Sequence, residues 1–271
     1  MTQSLDDERF KGTKQLLGGD HFARLQNASV CVVGLGGVGS WSVEALARSG
    51  VGALTLVDLD EVCVTNINRQ VHALSNTVGQ SKASLLAQRV AAINPSCRVN
   101  VVRKFFTEAT ADEILAGSRY DVVLDTIDRN ENKTTLIGEC ARRSLRVVTV
   151  GSGGDRLDAS QATVTDLART IHDPLLQIVR KQLRQRYDFP KGDRQRFYIP
   201  CVYAPQQRGP RALVEQANCA VAQPNSRRSC NDGLGSAVHV TGALGFMAAG
   251  EVIKLLGTEP PTELYPWRRS P

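Results

Sequence analysis

Residues 28–58 read ASVCVVGLGGVGSWSVEALARSGVGALTLVD, and the fold class follows from this stretch. ASVCVVG (28–34) is a short apolar run closed by glycine, the pattern of a buried strand. GLGGVGS (34–40) supplies a turn. WSVEALARSG (41–50) carries apolar residues at helical spacing and ends on a glycine stop. ALTLVD (53–58) is a second buried strand. Strand, glycine turn, helix and strand make a βαβ unit, whose crossover is right-handed.

Upstream, residues 1–27 are polar and predicted to be a partly helical arm before a core at 28–154. Downstream, 59–81 is a long polar loop, and KASLLAQRVAAIN (82–94) is a helix stopped by Pro95. RVNVV (98–102) alternates like a strand, and 107–117 is a short helix. YDVVLDTID (120–128) is a strand running into an acidic turn; NKTTLIGECARRS (132–144) is a helix, and RVVTVGSGG (146–154) another strand with a glycine turn. This alternation predicts an α/β fold of the Rossmann type, a mostly parallel sheet with helices on both faces.

Beyond residue 154 the pattern changes, and 155–257 reads as a C-terminal part of the same domain. QATVTDLA (161–168) is one strand, and 174–187 a helix opened by Pro174. Residues 190–232 show no periodicity and read as a long loop within a basic insert, 180–232. GLGSAVHVTGALGFMAAGEVIKLL (233–256) is apolar, but its uncharged part between His239 and Glu251 is too short for about 30 Å of hydrocarbon, so a packed core helix is expected. Residues 258–271 read as a loose tail.

With 42% hydrophobic and 22% charged residues over 271 positions, the chain can bury a core and is not of the disordered class. The seven cysteines are irregularly spaced without a CxxC pair, which argues against disulfides and a four-cysteine zinc site. The N-terminal residues lack the apolar run of a signal peptide. A cytoplasmic protein with reduced thiols is expected. Charge is uneven: residues 180–211 hold nine Lys or Arg against Asp188 and Asp193, a local net charge of +7, which suits a polyanionic partner.

Gly34, Gly36 and Gly39 spell GxGxxG after a strand and at the opening of a helix. The first permits the turn, the second lets backbone approach a phosphate, and the third lets helix and strand pack closely. The helix N-terminus offers N–H groups to an anion. Asp58, at the end of the second strand, is placed to accept ribose hydroxyls. Thus far an NAD dehydrogenase fits equally well. Arg69 and Lys82 add charge suited to a triphosphate and to attack at its α-phosphate. Asn66 is a donor for phosphate or ribose. Asp128, at a strand's carboxyl end, is a carboxylate suited to Mg²⁺.

GxGGVGS, DxDxV, NxNRQ, VGxxK and LDxxD, in this order, resemble the ubiquitin-activating-enzyme-like adenylating superfamily, across about residues 9–154. The resemblance implies that Gly37, Asp58, Asp60, Asn66, Arg69, Lys82 and Asp128 line an ATP site with Mg²⁺, and that the protein is a homodimer. It also implies a basic residue reaching into the partner's site, with Arg9 and Lys14 as candidates, and in some members a bound monovalent cation.

VTDLARTIHDPLL (164–176), CVYAP (201–205) and RRSCNDGLGSAVHVTGALGF (227–246) resemble the branch that dehydrates threonylcarbamoyladenosine in tRNA. That resemblance implies adenylation of the modification's carboxylate and ring closure with loss of one water. The basic segment then becomes a tRNA contact, with Arg180, Lys181, Arg184 and Arg186 as candidates. Cys230, near Arg227 and Arg228, and Cys201 are candidate nucleophiles for an acyl intermediate. A cysteine desulfurase or other sulfur-acceptor system is a family-level association. The alternatives are an activator of a ubiquitin-like sulfur carrier, against which the absent CxxC pairs and the basic insert count, an NAD-dependent oxidoreductase, and a catalytically silent scaffold.

Overall fold

The computed structural model describes residues 8–116, 119–192, 195–205, 235–261 and 263–268. Two short helices open it, α1 (Lys11–Leu17) and α2 (Gly19–Asn27), followed by β1 (Ser29–Val33), α3 (Gly39–Ser49) and β2 (Ala53–Val57). The loop expected at 59–81 contains two 3₁₀ turns, Val64–Asn66 and Ser75–Thr77. Then come α4 (Lys82–Ile93), β3 (Arg98–Val102), α5 (Glu108–Ala116), β4 (Val122–Asp125), α6 (Asn130–Arg142) and β5 (Val147–Val150). The C-terminal part adds β6 (Thr163–Asp166), α7 (Pro174–Arg186), β7 (Pro200–Tyr203) and α8 (Val238–Leu256).

Seven strands form one sheet in the order β3-β2-β1-β4-β5-β7-β6. Among the strands of the described residues, β6 alone runs antiparallel, against β7. The period-2 alternation of strand side chains divides the core in two. Val30, Val32, Leu54, Leu56, Val122 and Leu124 face one side with Val43, Leu46, Leu86 and Leu244 from α3, α4 and α8. Cys31, Val33, Val57, Val123 and Val147 face the other with Ile114, Leu136, Ile137 and Leu183 from α5, α6 and α7. Helices thus cover both faces, the arrangement that buries a parallel sheet. Ligands of such sheets collect at the carboxyl ends of the strands, where the order reverses between β1 and β4.

α8 is long and apolar enough to cross a membrane. It lies instead against α3, so closely that a Cβ at Gly245 would sit 2.6 Å from Val38 O. Ser42 Oγ donates to Gly245 O at 2.9 Å.

Two expectations are corrected here. The aperiodic region 190–232 contains β7, which pairs with both β5 and β6 inside the sheet. The strand is four residues long with Pro200 at its first position, where a missing N–H is tolerated. It is too short to show a period. The tail at 258–271 is not loose over its described part. Tyr265 is buried and donates to Leu145 O at 2.7 Å, and the Trp267 ring packs 4.3 Å from that of Phe189. The N-terminal arm is likewise part of the core, through Phe10, Phe22 and Leu25.

Candidate active site

Backbone geometry at the β1–α3 turn requires its glycines. Gly34 has φ +89°, the left-handed region, and a Cβ there would meet Thr126 O at 3.0 Å. A Cβ at Gly39 would lie 1.9 Å from Gly34 O, so the third glycine permits α3 to start against its own turn. Gly36 is different. A Cβ there would meet only Gln70 Nε2, at 3.9 Å, so this glycine faces open space, as a phosphate cradle requires.

Asp58, at the end of β2, is buried and braces that turn. Its Oδ2 accepts from Leu35 N at 2.7 Å and its Oδ1 from Asp60 N at 2.8 Å. Burial raises its pKa, against the opposing pull of Lys82 and the two backbone donors. Lys82 opens α4, is 7% exposed, and pairs with Asp60 at 3.0 Å. The stem of Arg69 lies over Gly37, since a Cβ on that glycine would approach Arg69 Cγ and Cδ at 3.3 Å. Arg69 donates to Thr65 O at 2.8 Å and Asn68 Oδ1 at 3.0 Å. Asn66 is buried, and its side-chain oxygen accepts from Cys63 N at 3.1 Å. Its visible work is to close the 3₁₀ turn that presents Arg69. Asp128 is exposed on the turn after β4. The glycine turn, Asp58, Asp60, Lys82, Arg69 and Asp128 therefore lie around the carboxyl ends of β1, β2 and β4.

Sequence reasoning missed two buried polar groups beside this site. Gln70 Oε1 and both ring nitrogens of His72 have no hydrogen-bond partner among the described residues. Gln70 lies within the NxNRQ motif, and only the fold shows that it turns inward next to Gly36. A third omission, the Asp125–Lys133 pair, gives no signal at all in a helix reading. Orphan polar atoms beside an open glycine turn fit a site completed by a polar ligand.

His72 gives a pH prediction. Burial first, then Lys82 and Arg89, lower its pKa from 6.5 to about 4. The unfolded chain then takes up the proton before the folded one does. The stability this residue preserves is full above pH ~6.5 and is lost as pH falls toward 4, about 3 kcal/mol in all. His72→Met, which cannot titrate, should lose less stability than wild type across that window by this amount. Urea midpoints at the two pH values measure it, and equal losses in both proteins would refute it.

Other candidates are placed less favourably. Cys201 is fully buried in β7, and burial raises its thiol pKa strongly, so it is corrected from nucleophile to core residue. Cys230 lies outside the described residues. The four cations of α7 do not form one free patch. Arg180 donates to Thr170 Oγ1, and Arg184 donates to Pro190 O at 3.0 Å and lies 5.3 Å from the Phe197 ring. Lys181 and Arg186 are exposed, the latter 3.7 Å from Glu108. At the N-terminus Arg9 donates to Ile93 O at 2.8 Å of its own chain, whereas Lys14 is exposed on α1. Among the described residues no group of three or more His, Cys, Asp or Glu could hold a metal ion by itself. A cavity of about 460 Å³ lies away from this site, at the amino ends of β5 and β7, lined among others by Arg146, Tyr198 and Tyr265.

A mostly parallel α/β sheet with a glycine turn, a strand-end carboxylate bracing it, the Arg69 stem over Gly37 and a buried lysine at the following helix start is the frame of a nucleotide-binding protein of the adenylating type. The chain belongs to the ThiF family, whose model matches residues 12–268. It is 41% identical over 250 residues to the tRNA threonylcarbamoyladenosine dehydratase of Haemophilus influenzae, covering 92% of this chain and 94% of that protein. The enzyme of the same name from Escherichia coli is also 41% identical, over 253 residues, 91% of this chain and 92% of its own length. The crystal structure of the E. coli tRNA N6-threonylcarbamoyladenosine dehydratase in complex with ATP matches with TM-score 0.80 at 38% identity, covering 94% of this chain and 96% of that one.

Proposed function

We propose that this chain is an ATP-dependent tRNA threonylcarbamoyladenosine dehydratase. The observation that supports it best is the open cradle at Gly36, braced by Asp58 and flanked by Lys82 and Arg69, in a chain similar nearly end to end to the ATP-bound E. coli enzyme. The threonyl carboxylate attacks the α-phosphate of ATP, forming an acyl–phosphate bond and releasing pyrophosphate. The modification's own nucleophile then attacks the acyl carbon, loses its proton and expels AMP, which closes the ring. The substrate loses the elements of water, which end in AMP and pyrophosphate.

Within this reading each side chain has one task. Gly36 admits the phosphates to backbone N–H groups at the start of α3. Asp58 retains the turn and faces the ribose. Lys82, paired with Asp60, and Arg69, over Gly37, stabilise charge that grows at the α-phosphate. Mg²⁺, when bound, neutralises phosphate charge; the exposed Asp128 would hold it, together with phosphate oxygens.

Of the α7 cations, the exposed Lys181 and the exposed Arg186, the latter 3.7 Å from Glu108, are the ones placed to meet tRNA phosphates. A homodimer with Lys14 reaching the partner's site, a monovalent cation, a sulfur-acceptor system and a cytoplasmic location rest on the sequence resemblance. The test is incubation with MgATP and tRNA carrying threonylcarbamoyladenosine, then mass measurement of the nucleoside after gentle digestion. An ATP-dependent loss of one water is expected. Unchanged mass with nucleotide binding intact would reject the substrate and leave the adenylating site.

A further inference from the structure

We propose that the buried ion pair between Asp125 and Lys133 is a positioning device that fixes the turn carrying Asp128. Both residues are fully shielded from solvent, with Lys133 Nζ 2.9 Å from Asp125 Oδ2. A charge pair removed from water contributes little net stability and is often replaceable by apolar side chains, so stability alone does not account for it. Its remaining hydrogen bonds do. Asp125 Oδ1 accepts from Ile127 N at 3.1 Å, and Lys133 Nζ donates to Ile127 O at 3.0 Å. Ile127 is thus held through both backbone polar groups, one to the end of β4 and one to α6. The next residue is Asp128.

The same turn touches the nucleotide loop. Thr126 Oγ1 donates to Val33 O at 3.0 Å and also to Gly34 O. Asp125 is itself oriented by Thr149 Oγ1 of β5, which donates to Oδ2 at 2.6 Å. Three strands and one helix therefore determine where Asp128 stands relative to Gly34. A displacement of about 1 Å at such a group can cost on the order of a hundredfold in rate. The inference rests on the preceding reading of Asp128 as an active-site carboxylate.

The test uses Asp125→Asn, Lys133→Met and the two combined, in the full chain. Lys133→Met alone leaves a buried unpaired carboxylate and is expected to melt early. The double variant holds no buried charge and keeps a side-chain oxygen at position 125 to accept from Ile127 N, but nothing donates to Ile127 O. It should melt within a few degrees of wild type, bind ATP within about threefold, and turn over threonylcarbamoyladenosine-tRNA at least about tenfold more slowly. Asp128→Ala should then cost less in the double variant than in wild type, by the factor the double variant has already lost. Wild-type turnover in the double variant, equal cost of Asp128→Ala in both backgrounds, or a double variant that does not fold would overturn the proposal. Failure of the underlying reading looks different: Asp128→Ala would then leave wild-type turnover untouched.

Discussion

Asp128→Ala is expected to lower turnover about a thousandfold while shifting the thermal midpoint by no more than about 2 °C, because the two effects fall on different atoms. The turn is held by main-chain groups of Ile127 and by Lys133 N, which donates to Arg129 O at 3.0 Å. Among the described residues the Asp128 carboxylate makes no hydrogen bond or ion pair and is exposed. Its removal therefore leaves the fold's bonds in place. On the proposed reading, what is lost is the carboxylate that would hold Mg²⁺ at the phosphates, and loss of one preorganised electrostatic contact costs on the order of 10²–10³ in rate. Single-turnover release of pyrophosphate alongside a melting curve reads both. Turnover at the wild-type rate would remove Asp128 from the mechanism, and early melting would recast it as structural.

The part of the protein legible in the sequence is the part where local chemistry dictates shape. Residues 28–58 announce strand, turn, helix and strand because glycines must stand where the backbone needs φ > 0 or close approach, as Gly34 and Gly39 do. Asp58, Lys82 and Asp128 are legible because strand ends and a helix start are recognisable positions. The rest depends on pairing across long separations. β7 is a strand because β5 and β6 flank it, and four residues beginning with proline carry no period. Tyr265 and Trp267 look like a tail until the surface beneath the second core provides a place for them. Lys133 resembles any helix lysine. Only the packing of α6 against β4 shows that it is wholly enclosed beside Asp125. The α7 cations illustrate the opposite error, since a run of charge specifies neither face nor freedom. Arg180 and Arg184 are spaced one helical turn apart and bend back onto their own domain.

The glycine turn allows binding and folding to be separated by one methyl group at two positions. Gly36→Ala should leave the melting temperature close to wild type, because the added Cβ meets nothing nearer than Gln70 Nε2 at 3.9 Å. On the proposed reading that methyl projects into the space through which a phosphate approaches the backbone, so ATP affinity should fall about tenfold or more. Gly39→Ala should do the reverse in order of cause. Its Cβ would collide with Gly34 O at 1.9 Å and Thr126 Oγ1 at 2.5 Å, atoms of the turn itself. Neither can withdraw without breaking the Thr126 bonds to Val33 O and Gly34 O, so a loss of more than about 4 kcal/mol is expected, with ATP binding lost through unfolding. Urea titration and nucleotide binding, measured on both variants, distinguish the cases. If Gly36→Ala binds ATP as wild type does, the phosphates do not sit at this turn. If Gly39→Ala is stable, α3 can start elsewhere than the packed position described here.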